Sequence, residues 1–255
     1  MTSVHFLQMK PSQPGSSRKI QDCVRRYQRA RSLPVRSWRM VRRRGATRLG
    51  AVRELTYRVA KRTFDIGFAL LLMIAFSPLM FFIGLAIKLT DRGPILYWQS
   101  RVGMWGETFP FPKFRSMVVR ADQMVDTLAA QNHHGASITF KIKRDPRVTW
   151  IGRIIRRFSL DEFPQLWCVL RGDMSLVGPR PALPREVYNY TQEHRRRLGV
   201  RPGLTCIWQV SGRADIPFEK QVLMDVDYVE SHTFWLDLKL VASTVPAVLT
   251  GRGAY

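Results

Sequence analysis

From Ile66 to Ile87 the chain runs for 22 residues without a charge, IGFALLLMIAFSPLMFFIGLAI. A run this long must be buried in lipid or wrapped in protein. As a continuous helix rising 1.5 Å per residue it would reach about 33 Å, enough for a bilayer core of about 30 Å. Ser77-Pro78 stands at its centre, where proline removes the hydrogen bond to the Ile74 carbonyl and clashes with it. Each half then reaches only to mid-membrane. The flanks are basic on both sides, with Lys61 and Arg62 before and Lys88 and Arg92 after, so the positive-inside rule does not orient a span. Two readings fit these residues. One is a helix–break–helix hairpin that enters and leaves the same face, with Ser77 bonding the freed carbonyls. The other is a kinked transmembrane helix. No second stretch compares with it, because Leu236–Thr250 is shorter and holds Asp237, Lys239 and Pro246. A single anchor is expected.

The rest of the chain is bounded by charge. It carries 41 Lys+Arg against 19 Asp+Glu over 255 residues, a formal +22. Hydrophobic residues make up 45%, which excludes a wholly disordered chain. Cys23, Cys168 and Cys206 are odd in number and form no CxxC, which excludes a disulfide scaffold. Of the basic residues 17 fall in residues 1–62, beside only Asp22 and Glu54. That arm lacks sustained apolar periodicity, so it reads as mostly disordered, with a short helix near Val52–Arg62. Its Arg clusters are not followed by a short apolar core and a cleavage site, so it does not read as a signal peptide. A polybasic stretch ahead of an apolar segment suits the anionic cytoplasmic leaflet. The alternative of another class is a nucleic-acid-binding membrane protein acting through the arm. Against it, the arm has no regular aromatic interleaving and no helix-turn-helix pattern.

From Asp91 onward the pattern is a compact domain. Strands are expected at Ile95–Trp98 and Thr108–Phe114 around a turn at Gly103–Gly106. Helices are expected at Ala121–Gln131, Thr149–Arg157, Ser159–Arg171, Glu219–Tyr228 and Phe234–Leu249, with loop between the last three. His133-His134 lies in a polar loop and reads as solvent-exposed rather than metal-binding. The fold class is α/β with more helix than strand.

The chemistry is densest at Arg156-Arg157-Phe158-Ser159-Leu160-Asp161-Glu162. Ser159 and Glu162 have capping-box spacing, so one reading is a well-capped helix start. The other uses the same first turn for catalysis. The helix dipole, Arg156 and Arg157 would favour an ionised Asp161. Such a carboxylate can attack a phosphoryl group neutralised by those arginines, while Glu162 holds a divalent metal. In Gly178-Pro179-Arg180-Pro181 the prolines hold Arg180 extended, which suits a pre-set guanidinium for phosphate or a flat base. Lys113, Arg115, Arg201 and Arg213 add cations at turns. Together they outline a pocket for a phosphate compound.

KRTFDI, the Ser-Pro break, GPILYWQSRVG, KFRSM, RRFSLDEFPQL, GDMSLVGPRP, RPGLT and WQVSGR occur in that order. From Lys61 to Tyr255 the chain resembles the small bacterial polyprenyl-phosphate sugar-1-phosphate transferases that start exopolysaccharide or O-antigen assembly. The ending TVPAVLTGRGAY is similar to a galactose-type branch. The resemblance implies a monotopic protein of the inner membrane, and the basic arm over residues 1–60 lies outside it. A re-entrant helix over 61–90, broken at Ser77-Pro78, would lead to a cytoplasmic catalytic domain over 91–255. It implies transfer of a hexose-1-phosphate, galactose or glucose, from a UDP-sugar to undecaprenyl phosphate, with release of UMP. Asp161 would be the nucleophile and Glu162 the partner of Mg²⁺ beside the dyad. Lys113, Arg156 and Arg213 would surround the phosphates and Arg180 the nucleotide. Partners implied are the donor, the lipid acceptor and anionic lipids, without nucleic acid; a homodimer stays open. Cys206-Ile207 departs from the usual Gly-Leu, and Phe111-Pro112 before Lys113 is unusual.

Overall fold

The computed structural model describes residues 48–124, 145–213 and 216–250. The His133-His134 loop, most of the expected 121–131 helix and most of the basic arm lie outside them. The first element is a 44-residue helix, α1, Arg48–Asp91. It reaches back into the basic stretch, where Arg58 Nε pairs with Glu54 Oε1 at 2.9 Å one turn away. Helix is continuous through Ser77 and Pro78, with Pro78 inside it. Proline forfeits the bond to the Ile74 carbonyl, and the Ser77 hydroxyl donates to that same carbonyl at 2.9 Å.

One stripe of α1 faces protein, at Asp65, Ala69, Leu72, Phe76, Met80, Ile83 and Ile87, spaced by three or four. The stripe runs through Pro78 without slipping, and both halves rest on the same globular part. Ala69 and Leu72 pack with Leu166 and Val169, and Ile83 and Ile87 with Phe114 and Ile155. The opposite face leaves Leu70, Leu71, Ile74, Phe81, Phe82, Leu85 and Leu89 exposed. Its Glu54–Asp91 stretch is long and apolar enough to cross a membrane, and little of its most apolar part is buried.

Strands β1, Leu96–Val102, and β2, Thr108–Phe114, pair antiparallel from Leu96↔Phe114 to Val102↔Thr108. The β2 prolines Pro110 and Pro112 fit because a two-stranded sheet has only edges. Helix α2, Trp150–Arg157, starts at Thr149, whose hydroxyl accepts from the Gly152 amide at 3.0 Å. The single helix expected over 159–171 is instead a 3₁₀ turn, Leu160–Gln165, followed by α3, Leu166–Arg171. Pro164 inside that stretch removes a backbone donor, which favours the tighter winding first.

The region expected as loop also holds structure. Strands β3, Ser175–Val177, and β4, Gly203–Thr205, pair in parallel. Between and after them come α4, Pro184–Tyr188, a 3₁₀ turn at His194–Gly199, and α5, Ile207–Ser211. Strands of three residues are too short to show alternation in sequence. Helices α6, Phe218–Ser231, and α7, Phe234–Thr250, match the expected tail and complete a helix-rich α/β fold.

Candidate active site

Asp161 and Glu162 enter the site through a sharp reversal. Helix α2 ends at Arg157, and Ser159 then takes a left-handed backbone, φ 54° and ψ 23°. No side-chain capping bond forms at Ser159, so the capping-box expectation is corrected: the residue serves as a hinge between two helices. A non-glycine residue held there costs on the order of 1–2 kcal/mol. Ser159→Val is therefore expected to lower the thermal midpoint by several degrees, whereas Ser159→Gly should stay near wild type.

The cations come from separate elements. β1 and β2 present Tyr97, Gln99 and Arg101 beside Lys113, Phe111 and Phe109 on a shared face, with Tyr97 opposite Lys113. The Arg101 guanidinium and the Lys113 ammonium sit 5.2 and 5.4 Å from the Phe111 ring centre. Arg156 projects from α2 and is oriented by a 2.8 Å bond from its Nε to Ser116 Oγ. Arg180 Nη2 donates to Glu162 Oε1 at 2.6 Å. Arg213, half-buried beyond α5, lies close enough to feel both Glu162 and Arg180. Lys113, Arg156 and Arg213, expected at the phosphates, and Arg180, expected at the nucleotide, thus all converge on the Asp161-Glu162 turn.

Arg180 stands on a backbone fixed at four consecutive carbonyls. Pro179 accepts from the Gly203 amide at 2.9 Å, and Ala182 from the Val102 amide at 2.9 Å. Arg180 accepts from Arg197 Nη2 at 3.4 Å, and Pro181 from Arg101 Nη1 at 3.1 Å. β3 and β4 cross so closely beneath that a Cβ on Gly178 would stand 2.4 Å from the Arg201 carbonyl oxygen. Glycine is demanded here by approach.

Other expected contributors fall elsewhere. Arg115 is buried and paired with Asp91 at the end of α1, and Arg201 is exposed. Arg157 is exposed and lies over the Phe158 ring. Arg101 is the residue missed. Its signal was the strand alternation that puts it on the Lys113 face, obscured because the sequence places the strand end at Trp98.

The electrostatics of the dyad also correct an expectation. Asp161 is pushed up from the ordinary carboxylate range, by burial and then by Glu162, against the pull of Lys113, Arg156 and Arg180. The dipole of a six-residue 3₁₀ turn and an exposed Arg157 do not offset that. Burial also pushes Glu162 up, but Arg180 and Lys113 outweigh it and hold its carboxyl below the usual range. The two neighbouring carboxylates are therefore inequivalent, as division of labour requires. Burial, followed by Arg180, pushes the Lys113 ammonium down to about 8. Among the described residues no cluster of three or more His, Cys, Asp or Glu could hold a metal alone. Two hard oxygen donors side by side do fit Mg²⁺, which takes one or two carboxylates and completes its shell with substrate phosphates and water.

A buried Asp161 beside a half-buried Glu162, approached by four cations and next to Phe163, which packs on Phe76 of the apolar helix, suits handling of an anionic phosphate compound next to lipid. Comparison with known proteins agrees. The undecaprenyl-phosphate galactose phosphotransferase of Salmonella typhimurium is 43% identical over 201 residues, covering 78% of this chain and 42% of that protein. The exopolysaccharide production protein ExoY of Sinorhizobium fredii is 40% identical over 209 residues, covering 81% and 92% respectively. The UDP-glucose:undecaprenyl-phosphate glucose-1-phosphate transferase of Caulobacter vibrioides is 39% identical over 214 residues, covering 81% and 76%. With the bacterial sugar transferase pattern matched across residues 56–251, which takes in most of α1, both sheets and every site residue above, the chain belongs to that family.

Proposed function

We propose that this protein transfers a hexose-1-phosphate from a UDP-sugar to undecaprenyl phosphate, through a phosphosugar held on Asp161. The observation that carries this reading is the inequivalent pair of a buried Asp161 and a half-buried Glu162, with Lys113, Arg156, Arg180 and Arg213 converging on it. In the first step an Asp161 oxygen bonds to the sugar-bearing phosphorus, the bond from that phosphorus to the bridging oxygen breaks, and UMP leaves. In the second, an oxygen of the lipid phosphate bonds to the same phosphorus and the aspartyl bond breaks, restoring the carboxylate. The cations neutralise charge on the phosphate oxygens throughout. Asp161 and Glu162 would hold Mg²⁺, which supplies charge neutralisation at those oxygens when bound. Two half-reactions at one site let a soluble donor and a membrane acceptor take turns, giving ping-pong kinetics.

The reading includes a place at the cytoplasmic face of the inner membrane. The two halves of α1 rest on one globular part while the other face stays apolar and exposed, which supports a helix embedded in lipid beside the domain rather than one leading away from it. The Salmonella relative is named for galactose and the Caulobacter relative for glucose, so both sugars head the panel to be tried. UMP release from UDP-galactose, UDP-glucose and other UDP-sugars, with undecaprenyl phosphate and Mg²⁺, tests the reading. Sustained, multiple-turnover release that depends on the lipid acceptor supports it, and none with any donor overturns it.

The pH profile has a definite sign. Lys113 acts as a cation, and its charge is lost as pH rises through about 8. UMP-release kcat/KM should fall above that point. Lys113→Arg, which stays charged, should remove this alkaline limb. An unchanged limb in that variant would place its origin elsewhere.

A further inference from the structure

Behind the Arg180 loop lies an ion pair that the chemistry above does not use. Arg197, in the His194–Gly199 turn, and Asp225, on α6, pair with only 5% and 1% of their side chains exposed. Burying two charges costs several kcal/mol, and apolar residues of similar size often serve stability equally well. What the pair does geometrically is more specific. Arg197 Nη1 donates to the Tyr190 hydroxyl at 3.0 Å, and Nη2 reaches both Asp225 and the Arg180 carbonyl, the latter at 3.4 Å. One planar fork therefore ties α6 and the end of the α4 segment to the main chain from which the Arg180 side chain leaves. That side chain in turn holds Glu162 at 2.6 Å. Arg101 grips the next carbonyl, that of Pro181, from the opposite element.

We propose that Arg197 and Asp225 are positioning residues for Arg180: anchored on α6, the pair sets where the Arg180 guanidinium stands against Glu162 and the donor's phosphates. This rests on the sugar-phosphate transfer reading. Neither residue touches substrate. A displacement of about 1 Å at a site's edge can cost on the order of a hundredfold in rate, so a loosened Arg180 carbonyl should register as lost turnover without lost fold.

The test uses full-length protein in detergent and the double variant Arg197→Met/Asp225→Leu, which removes both charges together so that no lone charge stays buried. Its thermal midpoint should stay within a few degrees of wild type, while kcat/KM for the UDP-sugar falls on the order of tenfold to a hundredfold. The decisive readout is coupling. Arg180→Ala should cost far less in the double variant than in wild type, because groups acting through one another are not additive. Arg197→Lys keeps the charge but loses the fork, and should show the same coupling. Wild-type kcat/KM in a folded double variant overturns the proposal. So does an Arg180→Ala cost equal in both backgrounds, which marks a purely structural pair. If neither variant yields folded protein, the pair is a folding requirement and the proposal also fails. An inactive wild type with every UDP-sugar sinks the transfer reading instead, which keeps the two failures distinct.

Discussion

Asp161→Asn is expected to abolish UMP release, by roughly 10³–10⁴-fold as for other residues that take part in bond making. Asparagine matches aspartate in shape and can still occupy the turn after Ser159, so the loss would measure the carboxylate and not the fold. The stability effect should have the opposite sign. Burial and Glu162 raise Asp161 in the folded protein, so its ionised form is disfavoured there relative to the unfolded chain. The sign follows by linkage: the stability conferred by a raised carboxyl is present below its unfolded value and lost as pH rises through the folded one. At neutral pH wild type has lost it. Asn carries no such penalty, so in chelator the variant should melt higher than wild type at pH 7, and the gap should close on acidification. A variant that is inactive because it melts lower would contradict this assignment.

Gly203→Ala is the second large effect, and it acts on architecture. A Cβ at Gly203 would stand 2.0 Å from the Gly178 nitrogen and 2.5 Å from its carbonyl oxygen. Both are backbone atoms in the parallel β3–β4 pair and cannot swing aside. The substitution should cost at least about 4 kcal/mol, in the range reserved for severe packing failures. The pair could escape only by parting, which would release the Pro179 carbonyl and with it Arg180. Gly199→Ala is the matched control. Its added methyl would meet nothing nearer than Val229 Cγ1 at 3.8 Å, so it should fold and turn over as wild type. Thermal melts of both proteins in detergent distinguish them, and a stable, active Gly203→Ala would refute the close-approach argument.

Local chemistry was legible where the signal sat in one segment. Strand β2 runs from Thr108 to Phe114 as expected, and Thr149 caps α2 where the Thr149–Arg157 helix was expected to start. Of the residues expected to carry phosphate chemistry, Lys113, Arg156, Arg180 and Arg213 do meet at the Asp161-Glu162 turn. What sequence spacing could not foresee were effects made by distant segments. That both halves of α1, on either side of Ser77-Pro78, rest on one globular part was not readable there, whereas the Ser77 bond to the freed Ile74 carbonyl was. Ser159 had the spacing of a cap, yet α2 leaves it left-handed and without a capping bond. Asp161 was expected to ionise easily because two arginines precede it, but Arg157 points to solvent while burial and Glu162 dominate. Arg115 has the look of a phosphate ligand in KFRSM, and only the fold shows Asp91 waiting for it. The Arg197–Asp225 pair joins residues far apart in sequence and is invisible to any local motif.

The central claim is that Asp161 itself carries the transferred group. Purified protein incubated with Mg²⁺ and a UDP-sugar labelled in the sugar, with no lipid acceptor, should retain label on the protein and release UMP in a single turnover. Peptide mass mapping should place one hexose phosphate on Asp161, and undecaprenyl phosphate added afterwards should discharge it. Label that persists in Asp161→Asn, or full turnover to lipid-linked product with no labelled protein at any time, would contradict the claim.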